Sequence, residues 1–257
     1  MKPQIRPAFI RPAFATFAAL AFAVGTAQGA TVYSHDFGGD AADPLNGVTP
    51  DTTTAGAAWT ASSAINADGT IAGRTENGSD SAWLPFTPAP GFVYTLTAVM
   101  GQDLADAGAA TGGSWMALGF SAGDATGSFF GDPNNTSPWA LHRSPQDNNA
   151  NQIVSFTGPG VSGTNETHDP FAGTITLSIV LDTTDPQWTA TWFEGSNQLR
   201  TYTYEVGENP IISYVGFGRN NRSVGPIESF SFTAIPEPSA FLLLGSMIGM
   251  LGLRRRR

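Results

Sequence analysis

GTITLSIVLDTTDPQWTATWFEGSNQLRTYTYEV, residues 173–206, is built almost entirely on alternation. Ile175, Leu177, Ile179 and Leu181 take every second place, with Thr174, Thr176 and Ser178 between them. After a turn cluster at residues 182–186, Trp188, Ala190 and Trp192 alternate with Thr189 and Thr191. Period two is the spacing of a strand with one face in a core and the other in water, and β-branched and aromatic residues suit such a strand. The pattern predicts a strand ending at Leu181, a second over 187–193, a tight turn at 194–197 and a third over 199–206.

The same signal extends in both directions. Phe92, Tyr94, Leu96, Ala98 and Met100 share one face of a run whose other face holds Thr95 and Thr97, and Phe230 and Phe232 alternate with Ser229 and Ser231. Further strands are expected at 213–218 and 226–234. Between residues 31 and 234 no window shows a helical stripe, and turn-forming clusters fall at 43–47, 66–69, 76–81, 107–113 and 132–138. Many short strands with regular turn signals predict an all-β fold, a two-sheet antiparallel sandwich. Four of the six tryptophans, Trp59, Trp83, Trp188 and Trp192, read as core residues. No internal repeat is visible.

The two ends do not belong to that sandwich. Lys2, Arg6 and Arg11 precede an uncharged, mostly apolar run from Phe14 to Val24, followed by the small residues Gly25, Ala27, Gly29 and Ala30. That is the order of a secretory signal peptide, over residues 1–30, with an apolar stretch too short for the ~20 residues a bilayer core needs. At the other end Pro236, Glu237 and Pro238 lead into an uncharged run over 240–253, closed by Arg254, Arg255, Arg256 and Arg257. A helix from Ile235 to Leu253 would reach roughly 28 Å, enough for a single transmembrane span. The arginines then mark the cytoplasmic side and leave residues 31–234 outside it, in agreement with the signal peptide. The prolines separate the sandwich from this segment at residues 235–257.

Charge excludes whole classes of partner. Residues 31–234 hold five arginines, no lysine and twenty acidic residues, a net charge of −15. A field of that sign repels phosphate backbones, so nucleic acid is not a partner. The chain has no cysteine. Thiol catalysis and cysteine metal sites are excluded, and the sandwich must stand on its core without disulfides.

Two resemblances follow from these residues. The tail, with Pro236, Glu237 and Pro238, its apolar run and its basic end, resembles the PEP-CTERM sorting signal of Gram-negative bacteria. That resemblance implies recognition by an exosortase-type membrane protease and processing near Pro-Glu-Pro. It also implies passage through the inner membrane and display at the cell surface or in the biofilm matrix, among exopolysaccharide. The 173–234 meander looks like the second half of concanavalin A-like (laminin G-like) jelly rolls, whose hairpin carries an aromatic followed by a Gly-Ser-Asn turn. A jelly roll of this kind pairs its early and late strands, so 31–37 should lie near 226–234.

Candidate chemistry is sparse. Glycoside hydrolysis needs two carboxylates flanking the bond, about 5–9.5 Å apart. Hydrolases of the resembling fold use a Glu-x-Asp-x-x-Glu strand, and no such spacing occurs here. Glu76, Glu166, Glu194, Glu205, Glu208 and Glu228 read as solvated turn or edge residues. His35, His142 and His168 are too dispersed for a local zinc motif, and a lone histidine beside Asp36 or Asp169 reads as a surface hydrogen-bonding residue. Asp132 and Asn134, and Asp182 and Asp185, offer oxygen ligands of the kind calcium takes; turn chemistry accounts for them equally. No cofactor is implied. For carbohydrate, Trp139 could stack on a sugar ring with His142 and Arg143 beside it, although the alternation of Trp139 with Leu141 favours a core-facing strand. The expectation is an exported, exosortase-sorted, non-catalytic sandwich with a structural or adhesive role. A carbohydrate-binding module for exopolysaccharide is the alternative, and a glycoside hydrolase stands third.

Overall fold

A computed structural model describes residues 29–38, 43–54, 56–74, 76–102, 114–127, 137–143, 152–158, 163–167, 173–221 and 226–237. The expected signal peptide up to residue 28, Pro238, the apolar run 240–253, Arg254, Arg255, Arg256, Arg257, Asp132, Asn134 and His168 lie outside the described residues.

Every regular element among them is a strand. In chain order the first eight are β1 (Ala30–His35), β2 (Asp43–Pro44), β3 (Thr52–Thr53), β4 (Thr60–Ala61), β5 (Asn66–Ala67), β6 (Ser79–Pro85), β7 (Phe92–Gln102) and β8 (Trp115–Ser121). The rest are β9 (Trp139–Arg143), β10 (Gln152–Phe156), β11 (Thr164–Thr167), β12 (Gly173–Asp182), β13 (Thr189–Glu194), β14 (Asn197–Thr203), β15 (Tyr214–Asn220) and β16 (Ile227–Pro236). They form two seven-stranded antiparallel sheets. The first runs β14-β13-β12-β7-β16-β1-β3, the second β11-β10-β9-β8-β15-β6-β4, and β2 pairs with β5 in a small ribbon. The expected two-sheet sandwich is the observed one.

Alternation explains which face is which. Tyr94, Leu96, Ala98 and Met100 of β7 and Ile175, Leu177, Ile179 and Leu181 of β12 are all buried in one core with Leu84, Leu118, Phe120, Val215 and Phe217 of the second sheet. Aromatic rings fill its middle: Trp59 meets Phe217 and Phe230 edge-on, with centroids 5.2 Å and 5.1 Å away. Each fully buried ring of this size contributes about 1.5–3 kcal/mol relative to an exposed one. The opposite face of the first sheet carries Thr and Ser, whose hydroxyls pair across strands: Thr97 with Ser178, Thr189 with Thr203, and Thr191 with Thr201. Trp188 is only half-buried, at the margin of the core, because it precedes β13 rather than lying within it.

The 173–206 stretch folds as its pattern predicts, with β12, β13 and β14 as successive neighbours. Gly195 opens the two-residue turn between β13 and β14 with φ +56°, a conformation only glycine enters without strain. The early and late strands also meet. β1 pairs with β16, placing Ser34 opposite Ser231 and His35 opposite Phe230.

Boundaries differ from expectation: β14 covers Asn197–Thr203 rather than 199–206, β15 covers Tyr214–Asn220 rather than 213–218, and the last strand runs further than expected. The sheet does not end at Ala234: Ile235 and Pro236 continue β16 opposite Val93 and Phe92, and the Glu237 N–H donates to the Gly91 carbonyl at 2.8 Å. A proline is tolerated at a strand end, where its missing N–H breaks no interior ladder. The first proline of the Pro-Glu-Pro motif is therefore the last residue of the sheet, not the start of a linker or helix.

Candidate binding face

The second sheet has two buried faces. Along β8 every residue from Trp115 to Ser121 is buried, so the strand shows no alternation. Met116, Leu118 and Phe120 enter the main core, while Trp115 and Ala117 belong to a separate cluster with Trp83, Trp139, Leu141 and Val154. Phe156 and Tyr214, both partly exposed, pack against that cluster. This second cluster occupies the face of the sheet turned away from the core.

Cross-strand register arranges it in rows. Phe156 of β10 lies opposite Trp139 of β9, Trp139 opposite Gly119 of β8, Gly119 opposite Gly216 of β15, and Gly216 opposite Trp83 of β6. Trp139 and Phe156 stack face to face, centroids 3.7 Å apart and planes within 2°. Trp83 anchors the far side through its indole N–H, which is within 3.1 Å of both Ser81 Oγ and the Ala125 carbonyl. The glycines exist because of these rings: a Cβ on Gly216 would come 2.7 Å from the Trp83 ring and 2.0 Å from the Ala82 carbonyl oxygen. A Cβ on Gly119 would stand 2.3 Å from that of Trp139.

The sequence-based trio separates. Trp139 and Arg143 point to this outer face, but His142 sits among core-facing positions with Ala140, paired with Ile153 and Met116. Residues three apart on a strand face opposite ways. Trp139 itself is 3% exposed with one ring face taken by Phe156, so it supports the outer rings and offers no open stacking surface. Arg143, beside Trp115 in the register, keeps partial exposure. The accessible rings are Phe156 and Tyr214, which periodicity alone did not single out.

Three strand intervals, roughly 14 Å at ~4.8 Å each, separate Phe156 from Tyr214 across the sheet. No carboxylate projects from this face of β6, β8, β9, β10 or β15. Asp80, the one acid on those strands, lies on the opposite face with Ala82 and Leu84, paired with Arg219.

The remaining candidates fall into ordinary structure. Asp182 Oδ1 accepts the backbone N–H and the hydroxyl of Thr184, at 2.9 Å and 2.6 Å, which is turn chemistry. Asp185 is exposed in the same turn. Among the described residues no three His, Asp or Glu side chains converge as a metal site. His35 is not a surface residue. It is 4% exposed, its Nδ1 accepts the Trp59 indole N–H at 2.8 Å, and burial pushes its pKa down against the pull of Asp51 and Asp36.

No protein-family model matches the chain, and no curated protein matches it. Solved structures do. The carbohydrate recognition domain of Emp46p in its metal-free form is 12% identical, covering 68% of this chain and 87% of that one, with a TM-score of 0.52. An endo-1,3-beta-glucanase from Streptomyces sioyaensis is 13% identical, covering 82% of this chain and 98% of that one, with a TM-score of 0.56. At such identity the likeness is one of fold alone. The described residues form a two-sheet antiparallel β-sandwich of the fold that these structures share.

Proposed function

We propose that this chain is an exported, surface- or matrix-displayed lectin-like protein that binds exopolysaccharide without cleaving it. One observation carries the reading: the outer face of the second sheet carries five aromatic side chains, of which Phe156 and Tyr214 are partly exposed, over a glycine floor, and among the described residues no strand-borne carboxylate. Aromatic rings hold sugars by stacking against their apolar faces, whereas hydrolysis demands two acids across the bond. Phe156 and Tyr214 are the contact rings, Arg143 supplies hydrogen bonds, and Trp139 braces Phe156 from beneath. The fold's likeness to a carbohydrate recognition domain supports this. The glucanase likeness concerns the same scaffold and lends no catalytic pair.

Export and display rest on the termini: the signal peptide of residues 1–30 and the PEP-CTERM-like tail with Pro236, Glu237 and Pro238, read by an exosortase-type protease. Before processing, the chain is held in the inner membrane. A purely structural or adhesive role remains the second reading, favoured by the burial of Trp83, Trp115 and Trp139.

The test is a glycan array probed with the purified protein, with and without calcium, followed by titration of the best ligand. Saturable binding that falls about tenfold in Phe156→Ala and in Tyr214→Ala, with melting temperature nearly unchanged, supports the lectin reading. Absence of binding to any polysaccharide leaves the structural role. Shortening of a bound glycan would overturn both.

A further inference from the structure

Two Asn-Gly pairs lie among the described residues, Asn46-Gly47 and Asn77-Gly78, and the fold treats them differently. A glycine has no Cβ to shield its own nitrogen, so that nitrogen can reach the side-chain amide of an asparagine just before it. Asn46 is held away from such a reaction. Its Oδ1 accepts the Ala61 N–H at 3.0 Å, and the Gly47 N–H donates to the Trp59 carbonyl at 2.8 Å. Both reacting groups are engaged.

Asn77 is exposed, in the bend that leads into β6. Its hydrogen bond is made by the backbone carbonyl, which accepts from Arg74 Nη2 at 3.1 Å. Among the described residues its side-chain amide has no hydrogen-bond partner and faces water. The Gly78 N–H donates to Asn221 Oδ1 at 3.3 Å, past the ordinary 2.7–3.2 Å of such a bond. Arg74 adds a push. A guanidinium on the Asn77 carbonyl draws electron density from the amide joining residues 77 and 78. Positive charge so near favours the anion left when the Gly78 nitrogen gives up its proton.

We infer that Asn77 is a site of spontaneous covalent modification, closing onto Gly78 as a succinimide and reopening as isoaspartate or aspartate, while Asn46 stays intact. The Gly78 nitrogen loses its proton to solvent and bonds to Asn77 Cγ. The Cγ–Nδ2 bond breaks, and the departing nitrogen takes up a proton and leaves as ammonia. Water then cleaves one of the two ring bonds to the Gly78 nitrogen. Cleavage at Cγ gives aspartate; cleavage at the main-chain carbonyl carbon gives isoaspartate, with the backbone rerouted through the side chain. Water is the one co-reactant, and no electrons are transferred. Either product adds a negative charge to a loop that Arg74 binds, and isoaspartate adds one main-chain atom just ahead of β6. The inference is independent of the outer aromatic face and of any glycan.

The full-length purified chain is held at mildly alkaline pH in heavy-oxygen water, once folded and once in urea, and peptide maps are followed with time. In the folded protein, isoaspartate carrying one heavy oxygen should form at residue 77 at least about tenfold faster than at residue 46, where two hydrogen bonds must break first. In urea neither loop is held, and the two pairs should convert at similar rates. Asn77→Gln, whose longer side chain would have to close a larger ring, should leave residue 77 unmodified at an unchanged melting temperature. Equal rates in the folded protein, faster conversion at Asn46, or the same preference persisting in urea overturns the inference. So does an Asn77 that yields no isoaspartate in the time the unfolded chain converts.

Discussion

Arg219 of β15 stands directly opposite Asp80 of β6, with Nε 3.3 Å from Oδ2 and both side chains more than nine-tenths buried. Arg219 also ties the carbonyls of Ala64 and Ala72 to the second sheet, so one guanidinium fastens the chain on either side of β5 to the sandwich. Removing one partner of a buried pair leaves the other desolvated without compensation, at a cost of roughly 3–5 kcal/mol. Arg74 remains to serve Asp80, so Arg219→Leu should cost about 3 kcal/mol, the lower end. The check is the urea midpoint at unchanged slope. A cost under about 1 kcal/mol would show that the pair fastens nothing.

Acid should loosen the β1 region. His35 is held below its ordinary 6.5, chiefly by burial, and its Nδ1 must stay unprotonated to accept the Trp59 N–H. The unfolded chain therefore takes up the proton first. The stability this group contributes is present above 6.5 and is lost as pH falls from there toward the folded value. Protonating the many carboxylates relieves repulsion and works in the opposite sense, so the comparison is with His35→Gln, which keeps an acceptor for Trp59 without titrating. Between about pH 7.5 and 5 the wild type should lose stability relative to that variant. Parallel curves would mean that His35 does not titrate differently on folding.

Gly216 and Gly119 allow Trp83 and Trp139 to approach the second sheet's backbone closely. Gly216→Ala forces its methyl against the Ala82 carbonyl and the Trp83 ring, and Gly119→Ala against Trp139. Overpacking of this kind costs about 1–3 kcal/mol, and backbone obstruction places both near the upper end. Chemical denaturation of each variant measures it. Near-neutral results would show that the two rings have room to shift.

If the tail is processed as proposed, the sheet end sets a limit on where. Pro236 is paired with Phe92, and the Glu237 N–H is bonded to Gly91. A protease needs an extended, unpaired segment, so the mature protein is expected to end at residue 237 or beyond, as read by intact mass. Replacing Pro236 and Glu237 by alanine should leave unprocessed precursor in the membrane. A mature end before Ile235 would show that the last strand peels away first.

The first sheet was legible because its strands have one wet face. In β7 and β12 the Thr and Ser positions mark solvent and the apolar ones mark core, and both were placed correctly. The second sheet was harder. WMALGFS is apolar on both sides, and a strand buried twice has no period to read. Trp139 reads from its alternation as core-facing; it is buried, but in the outer cluster with Phe156 and Trp115, and nothing local distinguishes those partners from the main core. His142 was grouped with Trp139 by nearness in sequence, although strand parity sends it to the other side. The Arg219–Asp80 contact joins residues 139 positions apart and leaves no local trace.

Strand β16 comes after every other described strand in the chain, yet it lies inside the first sheet, between β7 and β1. Until residues 227–236 arrive, β1 has only the two-residue β3 for a neighbour, and the seam between the earliest and latest segments stays open. Closing so long a loop is slow, which keeps the chain from locking prematurely. A polypeptide threaded outward N-terminus first would emerge as a sheet missing its middle and snap shut only when the tail reaches the far side. Were the chain exported as proposed, topology alone would keep passage and folding in sequence.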